Sequence, residues 1–258
     1  TVTTTRYQWD GQGIMEPAYS HIFIVPADGG SAKQLTYGDF NHFGSLTWTP
    51  DSKKILFSAH RSDNWELVSD EANIYSVDIA SNNLVQITNE VGAERSPSIS
   101  PNGKMIAYSF EERRPLAYTP DQIVIMDING DNKSILTKEL DGDADNIQWS
   151  DDNRSIYFSY DERGIRKVGQ VTLDGKIENA INGLGGTSLG RPYLSGSYHR
   201  SAESIAFTYG KASRPADVGV LRNGKVKIIT ELNNDLLDHR KLGNINEIIY
   251  KSSFDDQE

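Results

Sequence analysis

The chain has no cysteine, which removes disulfides, thiolate metal ligands and a cysteine nucleophile together. That absence does not separate a cytoplasmic from a periplasmic setting, because chains of either compartment can lack the residue. Basic residues are few beside acidic ones, 26 against 36, for a formal charge of −10. Nucleic acid is thereby excluded as an expected partner, since phosphate binding needs a basic face. Thr1 to Thr5 carry no charge and no apolar run follows them, so neither a signal peptide nor a membrane-spanning helix is expected within these residues, and no membrane partner is assigned. Sustained helical periodicity is missing as well. The five histidines, His21, His42, His60, His199 and His239, have no paired spacing of the kind that holds a metal or presents a general base. They are read as surface or loop residues, and no metal or cofactor is expected.

What is present is a repeat. An apolar residue followed by Thr or Asn recurs at Leu35-Thr36, Ile87-Thr88, Leu136-Thr137, Ile181-Asn182 and Ile229-Thr230, at successive intervals of 52, 49, 45 and 48 residues. Each unit reads as four short strands separated by turn residues, which is the pattern of a β-propeller blade. Innermost strands are expected at 45–49, 96–100, 146–150 and 191–195. The tight turns after the first three, Pro50-Asp51-Ser52-Lys53, Pro101-Asn102-Gly103-Lys104 and Asp151-Asp152-Asn153-Arg154, supply a fixed φ, a capping side chain or a residue that tolerates φ > 0. Second strands follow at Lys54–Ser58, Met105–Ser109, Ser155–Ser159 and Ser204–Thr208, rich in β-branched and aromatic residues. Third strands at His21–Val25, Asn73–Val77, Gln122–Met126, Lys167–Val171 and Asp217–Leu221 join the outer strands through hairpins such as Asn129-Gly130-Asp131 and Asn223-Gly224.

The fold class is therefore all-β, a propeller of four-stranded antiparallel blades with about five visible: a partial first blade over 1–36, then 45–88, 96–137, 146–183 and 191–230. Five outer hairpins but four complete inner ones are counted, which assigns Arg6 to Trp9 as the second strand of the incomplete blade. A ring cut within a blade leaves strand edges and apolar faces uncovered. Either Asn246 to Ser252, with Ile248, Ile249 and Tyr250, completes that blade, or further blades precede it.

The Ser-Pro-Asn-Gly-Lys turn and the Ile-Tyr-x-Val-Asp third strand occur in many propellers, those of the Tol system included. Asn64-Trp65-Glu66, Asn73-Ile74-Tyr75-Ser76-Val77-Asp78, Tyr160-Asp161-Glu162-Arg163-Gly164, Gly186 to Tyr193, Arg214-Pro215-Ala216-Asp217-Val218 and Tyr250 to Asp256 are more specific. They resemble the propeller of the acylaminoacyl-peptidase and dipeptidyl-peptidase branch of the prolyl oligopeptidase family, over essentially the whole chain. The resemblance implies a seven-bladed ring, which departs from the five blades counted. It also implies a segment from 246 to 258 that leads to a C-terminal α/β-hydrolase domain of the same polypeptide, and a propeller that admits short peptide substrates while contributing no catalytic residue. A free-standing Tol-type propeller, acting as a protein-interaction module, is the alternative. A propeller lyase with a metal-bound histidine cluster is set aside because the histidines do not cluster.

Gly186-Thr187-Ser188-Leu189-Gly190 fits the G-x-S-x-G pattern of a nucleophile elbow, yet neither the strand before it nor the helix after it is expected. It is read as an inter-blade loop. Asp141, Asp143 and Asp145 alternate as carboxylates but lack the glycine and glutamate of a calcium loop, and are read as a solvated acidic loop. Glu111, Glu112 and Arg113 open a long loop after a second strand. Paired glutamates there are similar to the way dipeptidyl peptidases hold a free amino terminus, although their spacing departs from that motif. Arg191 and Tyr193, in the most family-specific stretch, are read either as an inter-blade salt bridge with stacking or as a substrate contact in which the Arg pairs with a carboxylate or carbonyl. Trp48 and Trp149, at matching repeat positions, are expected to pack between blades.

Overall fold

A computed structural model describes residues 5, 7–16, 18–63, 65–68, 71–116, 118–186, 195–211, 213–244, 246 and 248–254. Its strands are, in chain order, β1 (Gln8–Trp9), β2 (Gly13–Ile14), β3 (Phe23–Ile24), β4 (Lys33–Gln34), β5 (His42–Trp48), β6 (Lys54–Ala59), β7 (Asn73–Asp78), β8 (Leu84–Gln86), β9 (Gly92–Ile99), β10 (Met105–Glu112), β11 (Gln122–Asp127), β12 (Ser134–Ile135), β13 (Asp145–Trp149), β14 (Ser155–Glu162), β15 (Ile165–Thr172), β16 (Ile177–Ile181), β17 (Tyr198–Ser201), β18 (Ser204–Lys211), β19 (Arg214–Arg222) and β20 (Lys225–Ile228). They form four four-stranded sheets, β5–β8, β9–β12, β13–β16 and β17–β20, each paired in chain order, and the two-stranded sheets β1–β2 and β3–β4. One helical turn, α1 (Asn234–Leu237), follows. No described helix is long and apolar enough to cross a membrane. The architecture is a β-propeller built from four-stranded blades.

The repeat marker has a physical basis in a hydrogen bond. The Thr hydroxyl accepts the amide of a residue at the start of the third strand: Ile22 N–H to Thr36 Oγ1 at 2.9 Å, Ile74 to Thr88 at 2.8 Å, Ile123 to Thr137 at 2.9 Å and Val218 to Thr230 at 2.8 Å. The turns repeat just as closely. Lys54, Met105 and Ser155 each donate a backbone N–H at 3.0 Å to the hydroxyl of Thr49, Ser100 or Ser150. Those hydroxyls in turn donate to Asp51, Asn102 and Asp152. The third turn residue, Ser52, Gly103 or Asn153, takes a positive φ. The hydrogen bonds hold the Asp51 and Asp152 carboxyls below their ordinary range.

Two compact units divide the chain, residues 1–162 with 168–180 and residues 163–167 with 181–258. In the first, the period-2 alternation of each strand feeds two cores, one on each side of its sheet. Ile55, Phe57 and Ala59 of β6 join Ile22, Leu35, Tyr75 and Val77. Leu56, on the opposite side, meets Ile74, Ile106, Tyr108, Val124 and Met126. Ala107, Ile123 and Ile125 then pack with Trp149, Ile156, Phe158 and Val171. Sheets stacked face to face through such layers are what a propeller requires. In the second unit, Tyr198, Ile205 and Phe207 are the buried apolar residues of β17–β18. Gly219 lies where a Cβ would strike the Phe207 ring.

Three sequence expectations change. Gln8–Trp9 pairs with Gly13–Ile14 and not with the β3–β4 hairpin, so among the described residues β3–β4 is a two-stranded sheet. The innermost described strand of the last sheet is β17 (Tyr198–Ser201), hydrogen-bonded through a turn to β18, while the expected strand at 191–195 lies, but for its last residue, outside the described residues. Among the described residues from Asn246 to Phe254 no strand is formed. Finally, His42 and His60 are buried, and the His21 and His42 rings lie 5.1 Å apart. A contact between strand ends brings them together, which no sequence spacing reveals.

Candidate functional site

The loops after second strands and the loops between blades emerge at the same ends of the strands, because consecutive strands run antiparallel. In the β9–β12 sheet that end carries a cluster of charges. The second strand runs on to Glu112, so Glu111 and Glu112 close β10 and the loop begins at Arg113. Glu111 stands opposite Ala93 and Ser109 opposite Arg95, with a bulge between Ala107 and Ser109. Gly92, paired with Glu112, has φ +138° and no room for a Cβ, which would run into the Glu111 carbonyl.

Arg95 Nη1 lies 3.0 Å from Glu111 Oε2 and 3.8 Å from Asp121 Oδ1. Asp121, just before β11, has its carboxyl raised above the ordinary range by burial, against the Ser109 hydroxyl and Arg95, which pull it down. Its backbone N–H donates to Asp143 Oδ1 at 2.9 Å, and the Tyr118 hydroxyl donates to the same oxygen at 2.9 Å. Burial and the Asp143 hydrogen bond push the Tyr118 phenol up to about 12. Asp143 thus belongs to this cluster, while Asp145 accepts from Ser159. Two carboxylates, Glu111 and Asp121, lie against the Arg95 guanidinium, Asp143 joins through the Asp121 amide and the Tyr118 hydroxyl, and the surplus is negative.

Glu112 and Arg113 turn elsewhere. Glu112 is ion-paired with Arg114, and Arg113 Nη1 reaches Glu71 Oε2 at 3.2 Å, joining this loop to the one between β6 and β7. Arg191 and Tyr193 lie outside the described residues, as does Ser188. Of the sequence candidates the structure therefore places Glu111 in the cluster and Arg113 beside it. It adds Arg95, Tyr118, Asp121 and Asp143, which pairing register and loop closure bring in from three segments. On the opposite side of β9, Glu94 is wholly buried, accepting from Asn73 Nδ2 at 3.1 Å. Burial, with the Glu94 charge second, raises the Tyr108 phenol.

Among the described residues no cluster of His, Asp or Glu has the arrangement of a metal site.

Residues 12–193 match the TolB beta propeller domain. The chain belongs to the TolB beta propeller domain family. Among curated relatives, this TolB-type propeller is 25% identical over 177 residues to Dipeptidyl-peptidase 5 of Porphyromonas gingivalis, a match covering 63% of the chain and 26% of the relative. It is 25% identical over 213 residues to the Tol-Pal system protein TolB of Francisella tularensis, covering 81% of the chain and 45% of that protein. The chain thus spans less than half the length of either. Among solved structures, an acylaminoacyl peptidase in complex with Z-Gly-Gly-Phe-chloromethyl ketone superposes with a TM-score of 0.69 at 14% identity, over 93% of this chain and 35% of that one. The TolB-type propeller is related both to peptidase propellers and to TolB itself.

Proposed function

We propose that this propeller is the non-catalytic, substrate-gating and substrate-binding part of a serine peptidase that removes acylaminoacyl or dipeptidyl residues from the amino terminus of short peptides. Its partner is a C-terminal α/β-hydrolase domain of the same polypeptide, which carries the Ser-Asp-His triad. The observation that supports this reading is the similarity to Dipeptidyl-peptidase 5 over 177 residues. A candidate chemical site supports it. Glu111 with Asp121 and Asp143 offers a peptide ammonium charge-assisted hydrogen bonds, with Arg95 neutralising part of the charge when no cation is bound. Arg113 is held back by Glu71, and Arg191 and Tyr193 are assigned to the substrate's carboxylate or carbonyl side.

Calorimetric titration of the chain with a dipeptide amide and its N-acetyl derivative tests the site. The free amine is expected to bind about tenfold more tightly, in keeping with the loss of one charge-assisted contact, and Glu111→Gln is expected to erase the difference. Equal affinity for the two peptides would remove the ammonium site.

The match to TolB over 81% of the chain favours a second reading, a free-standing propeller that binds another protein. The parent reading frame separates them. A Gly-x-Ser-x-Gly elbow with Asp and His after it, encoded beyond Glu258, belongs to the first reading, and a stop codon there to the second.

A further inference from the structure

The loop between β6 and β7 is pinned to the molecule at several points, and one of them titrates. His42, at the start of β5, is buried. Its Nδ1 lies 2.9 Å from the Ser20 carbonyl, which also accepts the His42 backbone N–H at 3.0 Å. A carbonyl can only accept, so Nδ1 carries the proton and Nε2 is left with its lone pair. That lone pair receives Arg61 Nη1 at 2.7 Å. Arg61, near the start of the loop, also donates to the Tyr37 carbonyl at 3.2 Å, and its guanidinium lies 4.5 Å over the Phe40 ring. Further along, Trp65 packs edge-on to Tyr19 at 5.9 Å and Glu66 accepts from the Thr5 hydroxyl and amide. The loop ends at Glu71, the partner of Arg113.

We propose that His42 and Arg61 form an acid-operated latch: protonation of His42 at Nε2 expels Arg61 and loosens the start of the loop there. The reason is a conflict of donors. Nε2 cannot bear a proton and accept the Arg61 hydrogen bond, and an imidazolium in that position would face the guanidinium as a like charge. The groups around His42 add to this. The His21 ring lies tilted beside it, on the segment before β3. His60 precedes Arg61 in the loop and lies against Ser62 at 2.7 Å. On the β7 side stands Tyr75, which couples to Arg61 and to Glu71. Glu71 is the one carboxylate of the set, and it is engaged with Arg113. Burial first, then Arg61 and His21, hold the His42 imidazolium below the ordinary value of 6.5, while the Ser20 carbonyl pulls it back up. A base depressed in the folded state binds fewer protons than the unfolded chain. Its contribution is intact above 6.5 and is lost as pH falls through the folded value. The latch is closed at neutral pH and open in acid. The inference stands on this geometry, whether the propeller serves a peptidase or a binding partner.

Hydrogen–deuterium exchange of the chain, followed on peptides covering 60–72 and corrected for intrinsic rates, tests the latch. Protection is expected to fall about tenfold between pH 7.5 and pH 5.0 in this segment and to hold in β9–β11. In His42→Gln, whose amide donates and accepts at the same places without titrating, the pH dependence is expected to vanish. Should that variant fail to fold, Arg61→Gln serves: its loop is expected to be as unprotected at pH 7.5 as the natural loop at pH 5.0, with no further loss in acid. A natural loop equally protected at both pH values, a His42→Gln loop that still opens in acid, or an Arg61→Gln loop protected like the natural one would each overturn the latch.

Discussion

Thr36, Thr88 and Thr137 are buried and Thr230 half-buried, and each accepts a third-strand amide at 2.8–2.9 Å. Replacing such a hydroxyl by a methyl of the same shape leaves a buried N–H with no acceptor, which costs about 1–3 kcal/mol. Thr137→Val is therefore expected to lower the unfolding free energy by that amount, and Thr230→Val by less, because water can reach the freed amide there. Urea denaturation of the two variants measures the contrast. The marker was legible in the sequence because one hydrogen bond recurs once per blade, and Asn182 shows where the hydroxyl gives way to another polar side chain. The roles of Arg95, Asp121 and Asp143 were not legible, since they come from three segments joined only by pairing register and loop closure.

At the level of strands, matching positions prove unequal. Trp48 stands opposite Ile55 in β5–β6 and Trp149 opposite Ile156 in β13–β14, the same register. Trp149 is 6% exposed and its indole N–H donates to the Ser98 carbonyl of β9 at 3.0 Å. Trp48 is 45% exposed. The hairpin before it shows the same contrast: Phe23 is 55% exposed where its counterpart Tyr75 is 6%. The expectation of packing between blades thus holds for Trp149, which has a four-stranded sheet beside it, and not for Trp48, which stays 45% exposed. Trp149→Phe is expected to cost about 1–3 kcal/mol from the lost hydrogen bond and the gap left by the smaller ring. Trp48→Phe is expected to stay within about 0.5 kcal/mol, as exposed positions do. Thermal unfolding of both variants gives the comparison.

For the molecule as a whole, catalysis is assigned to a partner domain, so the 258-residue chain by itself is expected to hydrolyse no aminoacyl or dipeptidyl chromogenic substrate. Turnover that disappears in Ser188→Ala would return the nucleophile to this chain. The sequence by itself determined the architecture, because a propeller repeats a local unit: alternation of period 2, turn residues at fixed offsets and one Thr or Asn marker per blade are each written within some fifty residues, as the marker intervals of 45 to 52 show. It also determined where Glu111 and Arg113 would stand, at the loop end of a second strand. Only the tertiary structure decided what those residues meet. Arg95 reaches Glu111 across a bulged strand pair, Glu71 reaches Arg113 from another loop, and Arg61, near the other end of that loop, closes on His42. Such contacts depend on which strand ends share one side of stacked sheets, and no spacing along the chain encodes that proximity.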